Sequence, residues 1–144
     1  MHVTPDCFLI DAARRREISL LAVFGGQGPH NGQVLGDLRK LINEYPGFAP
    51  KLVKVATSLL HRLTQHQQCH EQQYEFGFDL DTWLRHPERS PGQAYLATAP
   101  ISFPLNGLFS LVRYCVFCCT FGLHPGQMRE LLRGTTGHSQ GIVV

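Results

Sequence analysis

Residues 18–28 read Ile-Ser-Leu-Leu-Ala-Val-Phe-Gly-Gly-Gln-Gly, and this stretch decides the class of fold that the rest of the chain supports. Residues 18–24 form a short apolar run that ends abruptly at Gly25 and Gly26. A short, continuously apolar run of this kind is typical of a strand buried in a parallel sheet. We therefore predict a strand over residues 18–24, then a glycine-rich loop, then a helix that begins near Asn31.

Helical spacing of apolar residues continues through the first half of the chain. It predicts one amphipathic helix from about residue 31 to 45, which Pro46 and Gly47 end, and a second from about residue 50 to 66. The glutamine- and histidine-rich residues 65–73 are expected to form a polar surface connection.

The second half of the chain alternates helix starts and stops. Asp79 or Asp81 can cap a short helix carrying Trp83 and ended by Pro87. Pro104 suits the first turn of a long apolar helix that runs through about residue 120 and is closed by Gly122. A last helix is predicted over residues 125–133, leading into a short strand at residues 134–137.

The second decisive stretch is Gly137-His138-Ser139-Gln140-Gly141, a Gly-x-Ser-x-Gly motif. In such a motif the serine sits on a sharp strand-to-helix turn, and the glycines give the backbone room where a Cβ would clash. The turn would project the hydroxyl of Ser139 into a cleft. The N–H of Gln140 could then donate to an oxyanion, and the glycine-rich loop at Gln27 is a good place for a second free N–H.

This order of elements predicts an α/β layered domain with a short parallel sheet flanked by helices. Residues 1–17 are weakly patterned and are taken as a leader, while residues 18–144 form the domain. No internal repeat or break in composition divides it. Two strands cannot make a covered parallel sheet, so the domain is expected to be incomplete and the chain to be an amino-terminal fragment, truncated just after Ser139.

Composition and charge narrow the function classes. The 144 residues are 43% hydrophobic and 17% charged, which indicates a globular chain. A net charge of +2 does not point to nucleic acid or to a membrane surface, and the run Arg14–Arg16 is expected to be solvated. No apolar stretch approaches the roughly 20 residues that span a bilayer. Without a recognisable export signal, the five cysteines indicate reduced thiols and a cytoplasmic protein.

Several chemically suggestive residues have simpler interpretations. Cys115, Cys118 and Cys119 have a C-x-x-C-C spacing but lie in an apolar helix pattern, so no metal site is predicted there. The ligand types His66, Cys69 and His70 are assigned to a solvated loop, and Trp83 to a core anchor. His30, close to the Gln27 loop, remains a residue that could line the mouth of the cleft.

The two glycine-rich motifs and the segments between them resemble a known family. Phe24–Gly28 and Thr136–Gly141 look like the corresponding motifs of acyl-carrier-protein acyltransferases, which have a malonyl-transacylase-like, hydrolase-type fold. The resemblance also covers segments between them, namely Asp81–Leu84, Tyr95–Leu96, Ala99–Leu105 and Leu123–Gly126. These are similar to the acetyltransferase domain of fungal fatty acid synthase beta subunits. They are equally similar to the starter-unit acyl-carrier-protein transacylase domain of fungal non-reducing polyketide synthases, and the short segment before the Gln27 loop looks like the polyketide arrangement.

The resemblance implies a reaction and a site. Ser139 matches the nucleophile that takes an acyl group from acyl-coenzyme A and passes it to the phosphopantetheine thiol of an acyl carrier protein domain. Gln27 and Gln140 match the residues whose backbone N–H groups form the oxyanion hole. Gly26, Gly28, Gly137, His138 and Gly141 match the loop and the turn around them. No tightly bound cofactor and no metal is implied, and the partners are the carrier protein and acyl-coenzyme A.

The general base of that family is a histidine well downstream of the nucleophile, beyond Val144. His138 is not assigned as the base, because chain direction would point its side chain away from Ser139. A serine hydroxyl without a base is a poor nucleophile, so the chain alone is expected not to turn over. Three other readings stay open: the acetyl-loading domain of a fatty acid synthase, a serine hydrolase of the α/β-hydrolase type, and a non-catalytic remnant.

Overall fold

The computed structural model describes residues 7–25, 31–64, 74–138 and 141. In this part the chain is mostly helical, with a two-stranded parallel sheet, which is compatible with the predicted α/β class. One short 3-10 helix spans Pro87–Arg89. The helices and strands in chain order are α1 (Phe8–Arg14), β1 (Leu20–Phe24), α2 (Asn31–Glu44), α3 (Ala49–Thr64), α4 (Leu80–Arg85), α5 (Gln93–Leu96), α6 (Ala99–Thr120), α7 (Pro125–Leu131) and β2 (Leu132–Gly137).

The main hydrophobic core lies between α2, α3, α4 and α6, as the apolar stripes of α2 and α3 predict. Leu38 of α2 and Val53 of α3 are buried, and α6 places Leu105 and Val112 against them. Complete burial of one such side chain contributes about 1.5–3 kcal/mol. This core therefore fixes the helical layer beside which β1 lies.

The short helix α4 confirms the predicted cap. The carboxylate of Asp79 accepts a hydrogen bond from the Thr82 N–H at 3.1 Å and from the Thr82 hydroxyl at 2.6 Å. The Trp83 ring is buried and packs at 5.3 Å from the Phe78 ring, so Trp83 is a core anchor as expected. The polar segment 65–73 before it lies outside the described residues.

The long helix α6 begins earlier than predicted. Its first turn contains Pro100, not Pro104, and Pro104 lies inside the helix. Thr98 has an extended conformation and is the N-cap, so the helix begins at Ala99. The predicted end is confirmed, since Gly122 has φ +63°, a left-handed conformation that glycine adopts without a Cβ penalty.

Helix α1 falls in the residues taken as a weakly patterned leader, and sequence periodicity did not reveal it. It buries Ile10, which joins a second cluster with Met128 of α7 and Cys118 of α6. Arg14 and Arg15, just beyond this face, are exposed as expected. The amino-terminal residues from 8 to 14 are therefore part of the packed structure.

The strands β1 and β2 pair in parallel, with Leu21 opposite Gly134 and Phe24 opposite Gly137. The prediction of a strand in a parallel sheet is confirmed, but the prediction that β1 is buried is wrong. Leu21 is 60% exposed and Val23 is 72% exposed. Alternate side chains of a strand point to opposite faces, and no described element covers the face that these two residues share.

Helix α6 also corrects the expectation about apolar stretches. It has 22 residues, and in the described part of the chain it is long and apolar enough to cross a membrane by length and composition alone. One side of it packs instead against α2 and α3, with Ile101, Leu105 and Val112 buried there. The sequence obscured its length because Asn106 and Arg113 interrupt the apolar run.

Candidate active site

The pairing of the two strands brings the two glycine-rich segments to one edge of the sheet. Because β1 and β2 are parallel, their carboxyl ends lie side by side, with Phe24 opposite Gly137. Gly25 follows the first strand and His138 follows the second. The backbone N–H of His138 donates to the Phe24 carbonyl at 3.2 Å, so the two chain exits are hydrogen-bonded to each other.

Gly141 returns to this edge and fixes the turn. It is buried, and its N–H donates to the His138 carbonyl at 3.0 Å. A Cβ at this position would lie 2.6 Å from the Phe24 carbonyl carbon and 2.8 Å from the Gly25 oxygen, and closer still to the Phe24 oxygen. Contacts below 3.0 Å against backbone cannot be relieved by a side-chain rotation. The second glycine of the motif is therefore required by the close approach of the turn to β1.

The predicted site residues divide into described and undescribed ones. Gly137 ends β2, His138 is exposed directly after it, and Gly141 packs on the end of β1. These three residues lie at the same sheet edge. The other predicted site residues lie outside the described part of the chain, as does His30; they are Gly26, Gln27, Gly28, Ser139 and Gln140.

A cleft of about 600 Å³ runs beside β1 and reaches Phe24 and Gly25 at the same edge. Helix α2 contributes Leu41, Tyr45 follows its end, and helix α6 contributes Arg113 and Tyr114 to the walls. The remaining lining is largely apolar. An apolar cleft that ends at the turn is a suitable place for the hydrocarbon part of a bound molecule.

Sequence reasoning missed the cleft residues of α6. Tyr114 donates its hydroxyl to the Pro125 carbonyl at 3.1 Å and places its ring 6.3 Å from the Phe24 ring. Burial raises the pKa of the Tyr114 phenol, so this hydroxyl stays protonated and acts as a hydrogen-bond donor. The guanidinium of Arg113 lies 5.3 Å from the centre of the Phe109 ring. The sequence does contain a pattern that could have indicated these residues. From Ser110 onward, the residues of α6 that line the cleft recur at helical spacing and form a second face of the helix.

The cysteines of α6 are spread around the helix instead of converging. Cys118 is completely buried in the second core cluster, whereas Cys119 is exposed. Burial raises the pKa of the Cys118 thiol, which keeps it protonated and a weak metal ligand at neutral pH. Among the described residues no group of three or more histidine, cysteine or acidic side chains could hold a metal ion. His66, Cys69 and His70 lie outside that part of the chain.

Comparison with known proteins finds fungal fatty acid synthase beta subunits as relatives. The chain is 41% identical over 145 aligned positions to the fatty acid synthase beta subunit TOXC of Cochliobolus carbonum, covering 99% of this chain and 7% of that subunit. It is 40% identical over 134 positions to the beta subunit hexB of Dothistroma septosporum, covering 93% and 7%. It is 35% identical over 135 positions to the fatty acid synthase subunit beta of Saccharomyces cerevisiae, covering 94% and 6%.

These relatives match almost the whole chain, but the chain spans only 6–7% of their length. No family model matches. The chain is thus similar throughout to one short segment of fungal fatty acid synthase beta subunits. This similarity agrees with the fatty acid synthase side of the resemblance seen in the sequence.

Proposed function

We propose that this chain carries the nucleophile segment of an acyltransferase in a fatty acid synthase-related assembly. Ser139 would accept an acyl group from acyl-coenzyme A and pass it to the phosphopantetheine thiol of an acyl carrier protein. The observation that carries the proposal is the junction of the two chain exits, in which His138 bonds to Phe24 and Gly141 packs against the end of β1. The similarity of almost the whole chain to one short segment of synthase beta subunits supports it.

The chemistry follows from this junction. The Ser139 oxygen attacks the thioester carbonyl of acyl-coenzyme A while its proton passes to a base. The tetrahedral oxyanion then accepts hydrogen bonds from the N–H groups of Gln27 and Gln140, whose segments leave the same sheet edge. The C–S bond breaks, coenzyme A leaves as the thiol after taking a proton, and an acyl ester remains on Ser139. Attack by the carrier thiol reverses these steps and restores the free serine.

The junction of the two parallel strands bears on one part of this mechanism, which is the position of the two oxyanion donors. Removal of one oxyanion donor costs about 10²–10³ in rate in enzymes of this kind. Because Gly141 holds the turn against β1, we expect the donors to keep a fixed position relative to the sheet edge. The cleft beside β1 is a suitable channel for the acyl chain. The proposal implies a cytoplasmic location and needs no metal or tightly bound cofactor.

Two parent assemblies share this chemistry. One is a fatty acid synthase, in which the segment loads acetyl groups, and the other is a polyketide synthase, in which it loads a starter unit. The relatives bear the name of fatty acid synthase beta subunits. The acyl group preferred by the chain distinguishes the two, because acetyl loading and longer starters require pockets of different depth.

The test is a mass measurement on the chain and on a version extended past Val144, each incubated with acyl-coenzyme A thioesters of increasing length. On the extended version, which restores the downstream base, we expect an added acyl mass that is lost in Ser139→Ala and kept in Ser19→Ala, an exposed serine at the opposite end of β1. Preference for acetyl supports the fatty acid synthase role, and preference for a longer chain supports starter loading. Rapid release of free acid without carrier protein would favour a hydrolase. Absence of an adduct on both forms would refute the proposal.

A further inference from the structure

A second concave site lies on the opposite side of α2 from the cleft beside β1. It is a groove of about 880 Å³ between α2, α3 and residues 78–87. The groove shares no lining residue with the cleft. Helix α3 presents one face to it through Val53, Lys54 and His61, which recur at helical spacing.

Two cationic side chains of the groove have no carboxylate partner among the described residues. Arg39 donates from Nη2 to the Trp83 carbonyl at 3.4 Å, and its buried Nε has no hydrogen-bond partner in the same part of the chain. The bond to Trp83 goes to a neutral carbonyl, so it leaves the positive charge of the Arg39 guanidinium unbalanced. The Lys54 ammonium forms no ion pair with any residue that the structure describes.

The acidic residues of the groove are already engaged. Asp79 accepts both hydrogen bonds of Thr82, and these bonds hold the pKa of its carboxyl below the usual range. Asp81 pairs with Arg85 at 3.0 Å on the exposed face of α4. The groove therefore has the two positive charges of Arg39 and Lys54 against one ionised carboxylate, that of Asp79, and keeps a net positive charge.

Part of the groove is apolar, and we call this part its floor. The half-buried Ile42 and Leu84 contribute to it, with the buried Val53 and Phe78 behind them. A ligand for this groove needs an anionic end and an apolar or aromatic body. A phosphate monoester offers up to two negative charges and several acceptor oxygens, which suits a guanidinium beside an ammonium better than a carboxylate does.

We propose that this groove binds a phosphate monoester, with its oxygens accepting from the Arg39 guanidinium and from Lys54 and its organic part lying over Ile42 and Leu84. This site is separate from the nucleophile turn and does not depend on the proposed acyl transfer. The shared chemistry is the phosphate group, whether free in solution or attached to a larger molecule.

The test is a titration of the chain with inorganic phosphate, phenyl phosphate and acetate at constant ionic strength. Trp83 is the only tryptophan, and its backbone carbonyl bonds to Arg39, so its fluorescence reports occupancy. We expect phenyl phosphate to bind several-fold more tightly than inorganic phosphate, and acetate to bind most weakly. If inorganic and phenyl phosphate bind equally, the apolar floor makes no contact and the proposal is wrong.

Matched variants locate the site. Lys54→Gln is expected to weaken phenyl phosphate binding about tenfold, which corresponds to roughly 1.4 kcal/mol. Lys51→Gln, an exposed lysine one turn earlier that does not line the groove, is expected to leave binding unchanged. Asp81→Asn removes the ion pair with Arg85 and one negative charge from the groove, so phenyl phosphate should bind more tightly. Equal affinities of the Lys54 and Lys51 variants for phenyl phosphate would overturn the proposal. Ser139→Ala should bind phenyl phosphate normally, so a failure of this proposal can be distinguished from a failure of the proposed acyl transfer.

Discussion

Replacing Gly141 by alanine tests whether the turn is held to β1 by close backbone packing. The new Cβ would lie 2.6 Å from the Phe24 carbonyl carbon and 2.8 Å from the Gly25 oxygen. Carbon atoms in favourable contact are about 3.5–4.0 Å apart, so roughly 1 Å of backbone displacement is required. The end of β1 cannot move that far without breaking its pairing with Gly137.

Release of the turn is the less costly response. It loses the hydrogen bond from the His138 N–H to Phe24 at 3.2 Å and that from the Gly141 N–H to His138 at 3.0 Å. Each contributes about 0.5–1.5 kcal/mol net, so we expect the turn to be destabilised by about 1–3 kcal/mol. Since 1.4 kcal/mol is a factor of ten, amide exchange at these positions should accelerate about 5- to 150-fold.

Hydrogen exchange followed by NMR at the His138 and Gly141 amides is the assay, with global stability followed by Trp83 fluorescence in urea. Gly25→Ala is the matched control at the same sheet edge, because a Cβ there meets nothing within 4 Å. The control should leave exchange at the two amides near the original rates. Unchanged exchange in Gly141→Ala would refute the close packing of the turn on β1.

Two further outcomes test the helical layer. The pKa of the Asp79 carboxyl is lowered by its bonds to Thr82, so the cap stabilises the chain above the carboxyl's unfolded pKa and this stability is lost as the pH falls through the folded pKa. Asp79→Ala should cost about 1 kcal/mol at pH 7. The difference from the original chain in urea unfolding should shrink as the pH falls below the carboxyl's unfolded pKa of about 3.9, and a difference that is the same at every pH would contradict the cap. Leu105→Ala, at 1% exposure, should cost about 2–5 kcal/mol, whereas Leu111→Ala on the same helix, at 49% exposure, should cost much less, and similar costs would contradict the assigned face of α6.

The sequence predicts local elements well where a physical signal is complete within a few residues. Asp79 before a short helix, Gly122 after a long one, and the apolar run ended by Gly25 each place an element boundary correctly. Pro104 misplaces the start of α6 because proline suits a first turn but is also tolerated further inside, and Pro100 is the proline that occupies the first turn. Helix α1 escapes periodicity because seven residues are too few to establish a pattern.

The arrangement at the candidate site depends on distant pairing, which periodicity does not encode. The motif glycines can be recognised in the sequence, but the contact of Gly141 with Phe24 joins residues more than a hundred positions apart. Similarly, the exposure of Leu21 and Val23 depends on which elements cover the sheet, and a continuous apolar run gives no sign of that. The groove at Arg39 and Lys54 needs three elements at once, so no single stretch of sequence announces it.

The acyl position in the modified chain tests the central claim most directly. After incubation of the version extended past Val144 with an acyl-coenzyme A, digestion and tandem mass spectrometry should place the acyl group on Ser139, as an ester that survives neutral hydroxylamine. An exposed thiol such as Cys119 can also be acylated without catalysis, but that thioester is cleaved under the same conditions. A stable ester on Ser139 that Gly141→Ala reduces at least tenfold is the predicted result. Acylation confined to Cys119, with Ser139 unmodified, would contradict the assignment of Ser139 as the nucleophile.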